Sequence, residues 1–217
     1  SDFEKAIKLV EKKNFFEAFK VFSDLAEADV PEAQYNLSLL FFNGLGAPKN
    51  YKSALYWAWQ AYLNEHKSAL SNVNSIFDVT NEDLRNTVAN QIIEELLVNA
   101  QNGDDIAPLK LGKTYLGLFV EAQNQPAYLW LSISQAYGDE SASPLLEEAA
   151  SQLTLEDILK QQDKALLKFQ EIKSKKNGPQ RKKRSSILKE VDMQNLIYCT
   201  IEEQNLGYKL VVMLKEF

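Results

Sequence analysis

The stretch Ala33–Ala69, AQYNLSLLFFNGLGAPKNYKSALYWAWQAYLNEHKSA, decides the fold. Ala33, Leu37 and Phe41 recur at helical spacing, and Ala54, Trp57 and Ala61 do so again after an interruption. The interruption is NGLGAPKN, where Gly44 and Gly46 admit the positive φ of a tight turn. The stretch therefore reads as two helices joined by a turn, with small residues where the helices approach each other.

The same pattern extends both ways. Phe3, Ile7, Leu9 and Val10 predict a first amphipathic helix over 2–13. Ala18, Val21, Phe22, Leu25 and Ala26 predict a second over 15–28, and Pro31 suits the first turn of a third. Ala18 precedes Ala54, and Ala33 precedes Ala69, by 36 residues, a period that signals helical repeats. Downstream, Thr80 is the expected N-cap of a helix that runs to about Gln101, with Asp83 at the capping-box position. Val88, Ile92, Ile93, Leu96 and Leu97 form its buried face, and Gly103 stops it. A longer period then appears. Ala107, Leu111 and Tyr115 follow Ala33, Leu37 and Phe41 by 74, and Ala127 and Trp130 follow Ala54 and Trp57 by 73. Thr154 with Glu156-Asp157 repeats Thr80 with Glu82-Asp83 at a shift of 74. This is a tandem duplication. Its second copy has Leu118 where the first has Gly44, so its turn must close differently.

These residues resemble the Sel1-like repeat family, a relative of the tetratricopeptide repeats. The family pattern is approximately A-x3-LG-x2-Y-x2-G-x-G, then D-x3-A-x2-W-x3-A. Here Ser38 stands for the first glycine, Phe41 for the tyrosine and Asn50 for the aspartate, while the second copy regains Gly112. The likeness covers about residues 15–150. It implies an all-α, right-handed solenoid of helical hairpins over 1–173, and an adaptor role without catalysis. The family's frequent place in the bacterial envelope makes a periplasmic location with a removed leader one expectation; the cytoplasm is the other.

After residue 173 the character changes. SKKNGPQRKKRSS lacks periodicity and reads as a basic linker over 174–186. Residues 187–217 are not repeat-like. Leu196-Ile197-Tyr198 and Tyr208 to Leu214 favour strands, with a turn at Asn205-Leu206-Gly207, although a helix over 187–198 is also open. Such a hairpin is marginal alone, so this segment is either packed on something or a docking element.

The 217 residues carry 45% hydrophobic and 11% aromatic residues, which suits a folded core. A net charge of -6 argues against general nucleic-acid or membrane-surface binding. No apolar run approaches the ~18 residues of a membrane span. Cys199 is the single cysteine, so no intramolecular disulfide forms and the compartment is left open. It reads as core packing. His66 is the single histidine and has no metal-ligand partners in sequence, so it reads as a surface residue. Pairs such as Glu94-Glu95, Asp104-Asp105 and Glu147-Glu148 project about 100° apart on a helix and are poor acid–base dyads. No catalytic, cofactor or metal site is expected. Trp57 and Trp130 fall on the repeat's structural position and read as core; Trp59 and Tyr62 lie off it and are the candidates for partial exposure. Asn36-Leu37-Ser38 fits a glycosylation sequon, but it lies within a helix whose Leu37 is expected to be buried.

By analogy with the tetratricopeptide groove, the resemblance places Tyr35, Asn36, Leu39 and Asn43 on a concave partner-binding face. The second copy would add Leu109, Lys110, Lys113 and Thr114. The two lysines suggest a protein partner rich in acidic residues. The competing reading is a structural subunit of an envelope or motility assembly, attached through 187–217; an enzyme is the third.

Overall fold

The computed structural model describes residues 1–176, with side chains through 175, and the backbone of two strands, 199–203 and 208–212. The chain divides into two compact units, Ser1–Lys175 and Lys176–Phe217. The first unit is all helical: α1 (Asp2–Glu11), α2 (Phe15–Glu27), α3 (Pro31–Asn43), α4 (Tyr51–Leu63), α5 (Ala69–Phe77), α6 (Glu82–Gln101), α7 (Ala107–Gly117), α8 (Asn124–Ala136), α9 (Ala142–Ser151) and α10 (Leu155–Lys176). Packing is between helices near in sequence: each of α1 to α4 packs on the next, α4 also packs on α5 and α6, and α6 to α9 pack in series. Short connections between such neighbours make helical hairpins, and contact with neighbours alone makes a solenoid. In the second unit, β1 (Cys199–Glu203) pairs antiparallel with β2 (Tyr208–Val212), Cys199 opposite Val212. The expected turn at 205–207, the helical alternative over 187–198 and nearly all of the basic linker lie outside the described residues.

The core runs along the array in three overlapping clusters. Ala18, Phe22, Ala33 and Leu37 anchor the first, Trp59, Ile76, Ile92 and Leu111 the second, and Ala127, Leu131 and Ala149 the third. Helix α6 buries Val88, Ile92, Ile93 and Leu96 as its spacing requires, with Leu97 half-buried.

The repeat is also written in the backbone. Asp29, Glu65, Gly103 and Gly138 all follow a helix C-terminus with positive φ, at 59°, 66°, 88° and 92°. Glu65 follows Asp29 by 36 residues, Gly103 follows it by 74, and Gly138 follows Glu65 by 73. After each of these residues, the next N–H reaches back to a carbonyl of the helix it closes. Val30 bonds Leu25 (3.1 Å), His66 bonds Ala61 (2.9 Å), Asp104 bonds Asn99 (3.1 Å) and Asp139 bonds Ser134 (3.3 Å). This left-handed closure satisfies carbonyls that the helix leaves unpaired.

The turns inside the two hairpins differ as the sequence implies. Gly44 ends α3 in the left-handed region, whereas Leu118 ends α7 at φ -95°. One bond is common to both. The Asn50 N–H donates to the Phe41 carbonyl (3.0 Å), and the Gln123 N–H donates to the Tyr115 carbonyl (2.8 Å). Asn50 then caps α4, accepting from the Ser53 N–H at 3.0 Å.

Two expectations need correction. Thr80 does not cap α6. Its hydroxyl turns back to the Ile76 carbonyl (2.9 Å), closing α5, and Asn81 accepts from the Leu84 N–H instead. Thr154 does cap α10, accepting from the Asp157 N–H at 3.1 Å. The tryptophan assignments also change. Trp130 is buried as expected, but Trp57 is half-buried and Trp59 is 1% exposed. Helix α4 meets α7 on a second side, and Trp59, not Trp57, faces that joint. Its Nε1 donates to the Thr114 hydroxyl at 3.0 Å.

Gly112 and Ser38 occupy equivalent positions, and their surroundings are matched. A Cβ on Gly112 would collide with the Leu131 side chain. The position equivalent to Leu131 in the first copy is Ala58, which is fully buried. There Ser38 donates to the Ala54 carbonyl (2.7 Å) and accepts from Asn72 (2.9 Å). Small opposite large in one copy replaces medium opposite small in the other. Gly112→Ser is therefore expected to destabilise by about 1–3 kcal/mol through overpacking. Combined with Leu131→Ala, it should cost less than the sum of the two single changes. Denaturant titration of the four-member cycle checks this; simple additivity would refute the matching.

Candidate functional site

The described structure puts only part of the expected face at the surface. Tyr35, Asn36 and Leu39 are half-buried and Asn43 is exposed. Tyr35 stacks on His66 at 4.3 Å between ring centroids, so His66 serves as a packing partner. Asn36 and Asn43 donate to carbonyls one turn back, those of Glu32 (2.7 Å) and Leu39 (2.8 Å). Leu109 and Thr114 are not face residues: they are 7% and 0% exposed, because α7 is sandwiched by α4 and α6 on one side and by α8 and α9 on the other. Leu37 and Ser38 are buried, which agrees with discounting the sequon.

The two lysines part company. Lys113 places its ammonium 5.7 Å from the Tyr62 ring centroid. It also acts on Asp139. Burial tends to raise that carboxyl, but hydrogen bonds from Ser141 and Ser134, with the Lys113 charge, hold it below the usual range. Lys110 lies elsewhere, and its Nζ donates to the Asn64 side-chain oxygen at 2.7 Å.

Lys110 belongs to a polar chain that crosses the array. Asp29, in the left-handed turn between α2 and α3, accepts from Gln34 at 3.2 Å. Gln34 is buried, donates also to the Ala26 carbonyl (3.2 Å), and accepts from Asn64 at 2.9 Å. Asn64 ends α4 and receives Lys110 from α7. The bonds from Gln34 to Ala26 and Asn64, and from Lys110 to Asn64, tie α2, α3, the end of α4 and α7 together, so the network fixes the first hairpins against the second copy.

Beside this chain lies a cleft of about 340 Å³ whose lining includes Glu27, Asp29, Tyr56, Trp57, Glu95, Asp104 and Lys110. Four carboxylate side chains border it against one ammonium. The Tyr56 hydroxyl donates to Glu95 at 2.8 Å, and Gln91 donates to the other Glu95 oxygen at 3.2 Å. Burial, the bond to Glu95 and its negative charge push the Tyr56 phenol up to about 12, so it stays a neutral donor at physiological pH. Among the described residues no group of three or more His, Cys, Asp or Glu has metal-site geometry, and no helix is long and apolar enough to cross a membrane.

The cleft was not legible in the residue spacing. Glu27 and Asp29 lie together at the end of α2, but Glu95 and Asp104 come from two other places in the chain, and no local motif links the three. Glu95 and Asp104 stand in adjacent acidic pairs, yet the cleft takes one carboxylate from each.

No family model matches the chain, and no curated protein does. Among solved structures, the chain is similar to a Sel1 repeat protein from Oxalobacter formigenes, at 18% identity and a TM-score of 0.34, over 82% of this chain and 83% of that one. It is also similar to a protective antigen of uropathogenic Escherichia coli displaying an SLR fold, at 20% identity and a TM-score of 0.30. That second likeness covers 87% of this chain and 45% of the antigen. The chain is a helical-repeat protein whose solved structural neighbours include Sel1 repeat proteins.

Proposed function

We propose that this chain is a non-enzymatic interaction scaffold that holds a polypeptide segment of a protein partner against the cleft between α2, α4, α6 and α7. The cleft itself carries the reading. It is open and polar, it is built from residues of both copies, and it has room for one or two side chains of an extended or helical segment. Its charge selects the partner. Glu27, Asp29, Glu95 and Asp104 repel an acid-rich segment, and the one lysine on the wall is already held by Asn64. A partner presenting Lys or Arg fits better than the acid-rich one expected from Lys110 and Lys113. Tyr56 and Trp57 add aromatic surface against which a cation packs favourably. The net charge of -6 steers basic partners toward the chain as a whole.

The paired strands 199–203 and 208–212 favour the second reading, attachment through the C-terminal segment, because two strands alone make a marginal sheet. Capture experiments separate the two. The wild-type chain, a Glu95→Lys/Asp104→Lys variant and a chain lacking 187–217 are each used to retain partners from the native extract. The cleft reading expects retention to be lost in the double variant and kept in the shortened chain. The reverse pattern makes the C-terminal segment the docking element.

A further inference from the structure

Lys110 stands on the wall of a cleft bordered by four carboxylates and pairs with none of them. Among the described residues every ion pair lies elsewhere, on α1, α2 or α10. The Lys110 ammonium goes instead to a neutral amide, donating to the Asn64 side-chain oxygen at 2.7 Å. The neighbours of Asn64 impose that choice. Its amide nitrogen donates to the Gln34 side-chain oxygen at 2.9 Å and to Asp29 at 3.4 Å, which leaves its oxygen facing Lys110. A reversed amide would set N–H groups against the ammonium, and oxygen against the Gln34 oxygen and the Asp29 carboxylate. Only one orientation satisfies all three partners.

Gln34 is fixed in its turn. It is 1% exposed, and its nitrogen donates to the Ala26 carbonyl and to Asp29, both at 3.2 Å. Buried Gln34 therefore orients Asn64, and Asn64 orients Lys110. Asp29 lies just across the same amide group, so a carboxylate is the nearest charged alternative for a lysine that loses Asn64.

We propose that Asn64 holds Lys110 off the cleft carboxylates and so keeps them open to a basic side chain of the partner, with Gln34 and Asn64 as positioning residues; this rests on the cleft reading given above. Freed from Asn64, the Lys110 ammonium takes the place that the partner's cation would fill. One unit charge at contact distance in water changes affinity about fivefold.

The test is a calorimetric titration of the full chain, at low ionic strength, with a short peptide of alternating Lys and Gly. Asn64→Ala should weaken binding about fivefold. In a Lys110→Met background the same Asn64→Ala change should have no effect, although Gln34 has still lost its partner there. Structural damage alone would weaken both backgrounds alike. Lys110→Met by itself, at a half-buried side chain, should bind at least as tightly as the wild type, which keeps the test open should Asn64→Ala fail to fold. Equal weakening with and without Lys110, no weakening at all, or weaker binding by Lys110→Met overturns the proposal and leaves the cleft reading standing. A wild-type chain that does not bind the peptide removes the cleft reading and this proposal with it.

Discussion

Replacing Trp59 with alanine is expected to lower the unfolding free energy by about 3–5 kcal/mol, as for a large aromatic removed from a packed core. Trp59 is 1% exposed, packs against Tyr62 with ring centroids 4.8 Å apart, and lies over Gly117, where an added Cβ would stand 2.9 Å from the indole. It joins α4 of the first copy to α7 of the second. Its hydrogen bond ends on Thr114, whose hydroxyl donates in turn to the Lys110 carbonyl at 2.7 Å. Trp59→Phe keeps most of the ring contact and removes only the indole donor, so it should cost about 1 kcal/mol for the bond plus the smaller ring volume. Trp57→Ala should cost less than Trp59→Ala, because Trp57 is half-buried and borders the cleft. Denaturant titration checks the order. A larger loss at position 57 than at 59 would show that the joint between the copies is not built on Trp59.

Gly46→Ala is the second large effect. Gly46 has φ +78°, and a Cβ there would collide with the Phe15 carbonyl oxygen and lie 2.8 Å from the Phe19 Cβ. The turn between α3 and α4 thus rests directly on α2, and backbone cannot move aside as a side chain can. Left-handed strain of about 1–2 kcal/mol adds to overpacking of about 1–3 kcal/mol, for an expected loss of about 2–5 kcal/mol. Gly138 supplies the control. It has φ +92° and nothing within 4 Å of an added Cβ, so Gly138→Ala should show the conformational part alone. Equal thermal shifts at the two positions would mean that the contact with α2 contributes nothing.

The sequence carried the helices well because their signals are local. The spacing of Ala18, Phe22 and Ala26, or of Val88, Ile92 and Leu96, is a property of one helix, and burial follows it. The joints between hairpins were less legible. Motif position assigned Trp57 to the core, but a tryptophan at a joint is buried by the helix that meets it, and α7 meets the Trp59 side of α4. The same holds for Leu109 and Thr114, which a groove analogy placed outward and α7 packing turns inward. The left-handed closures at Asp29 and Glu65 were hidden for another reason: neither residue is glycine, so only their 36-residue spacing and the later glycines betray them. The acidic cleft is the extreme case, since five helices and two turns contribute to it and only Glu27 and Asp29 among its carboxylates are close in sequence.

The central claim is that the cleft receives a basic segment. Trp57 borders the cleft and supplies the most direct readout. In a Trp59→Phe/Trp130→Phe background that retains the helical signal of the wild type, its fluorescence is titrated with two peptide pools of equal length, one rich in Lys and Arg and one rich in Asp and Glu. The basic pool should shift the emission at low ionic strength, and the shift should weaken as salt screens the carboxylates. It should vanish in the same background carrying Glu95→Lys/Asp104→Lys. A response to the acidic pool, or a response to the basic pool that survives the two lysines, would contradict the claim.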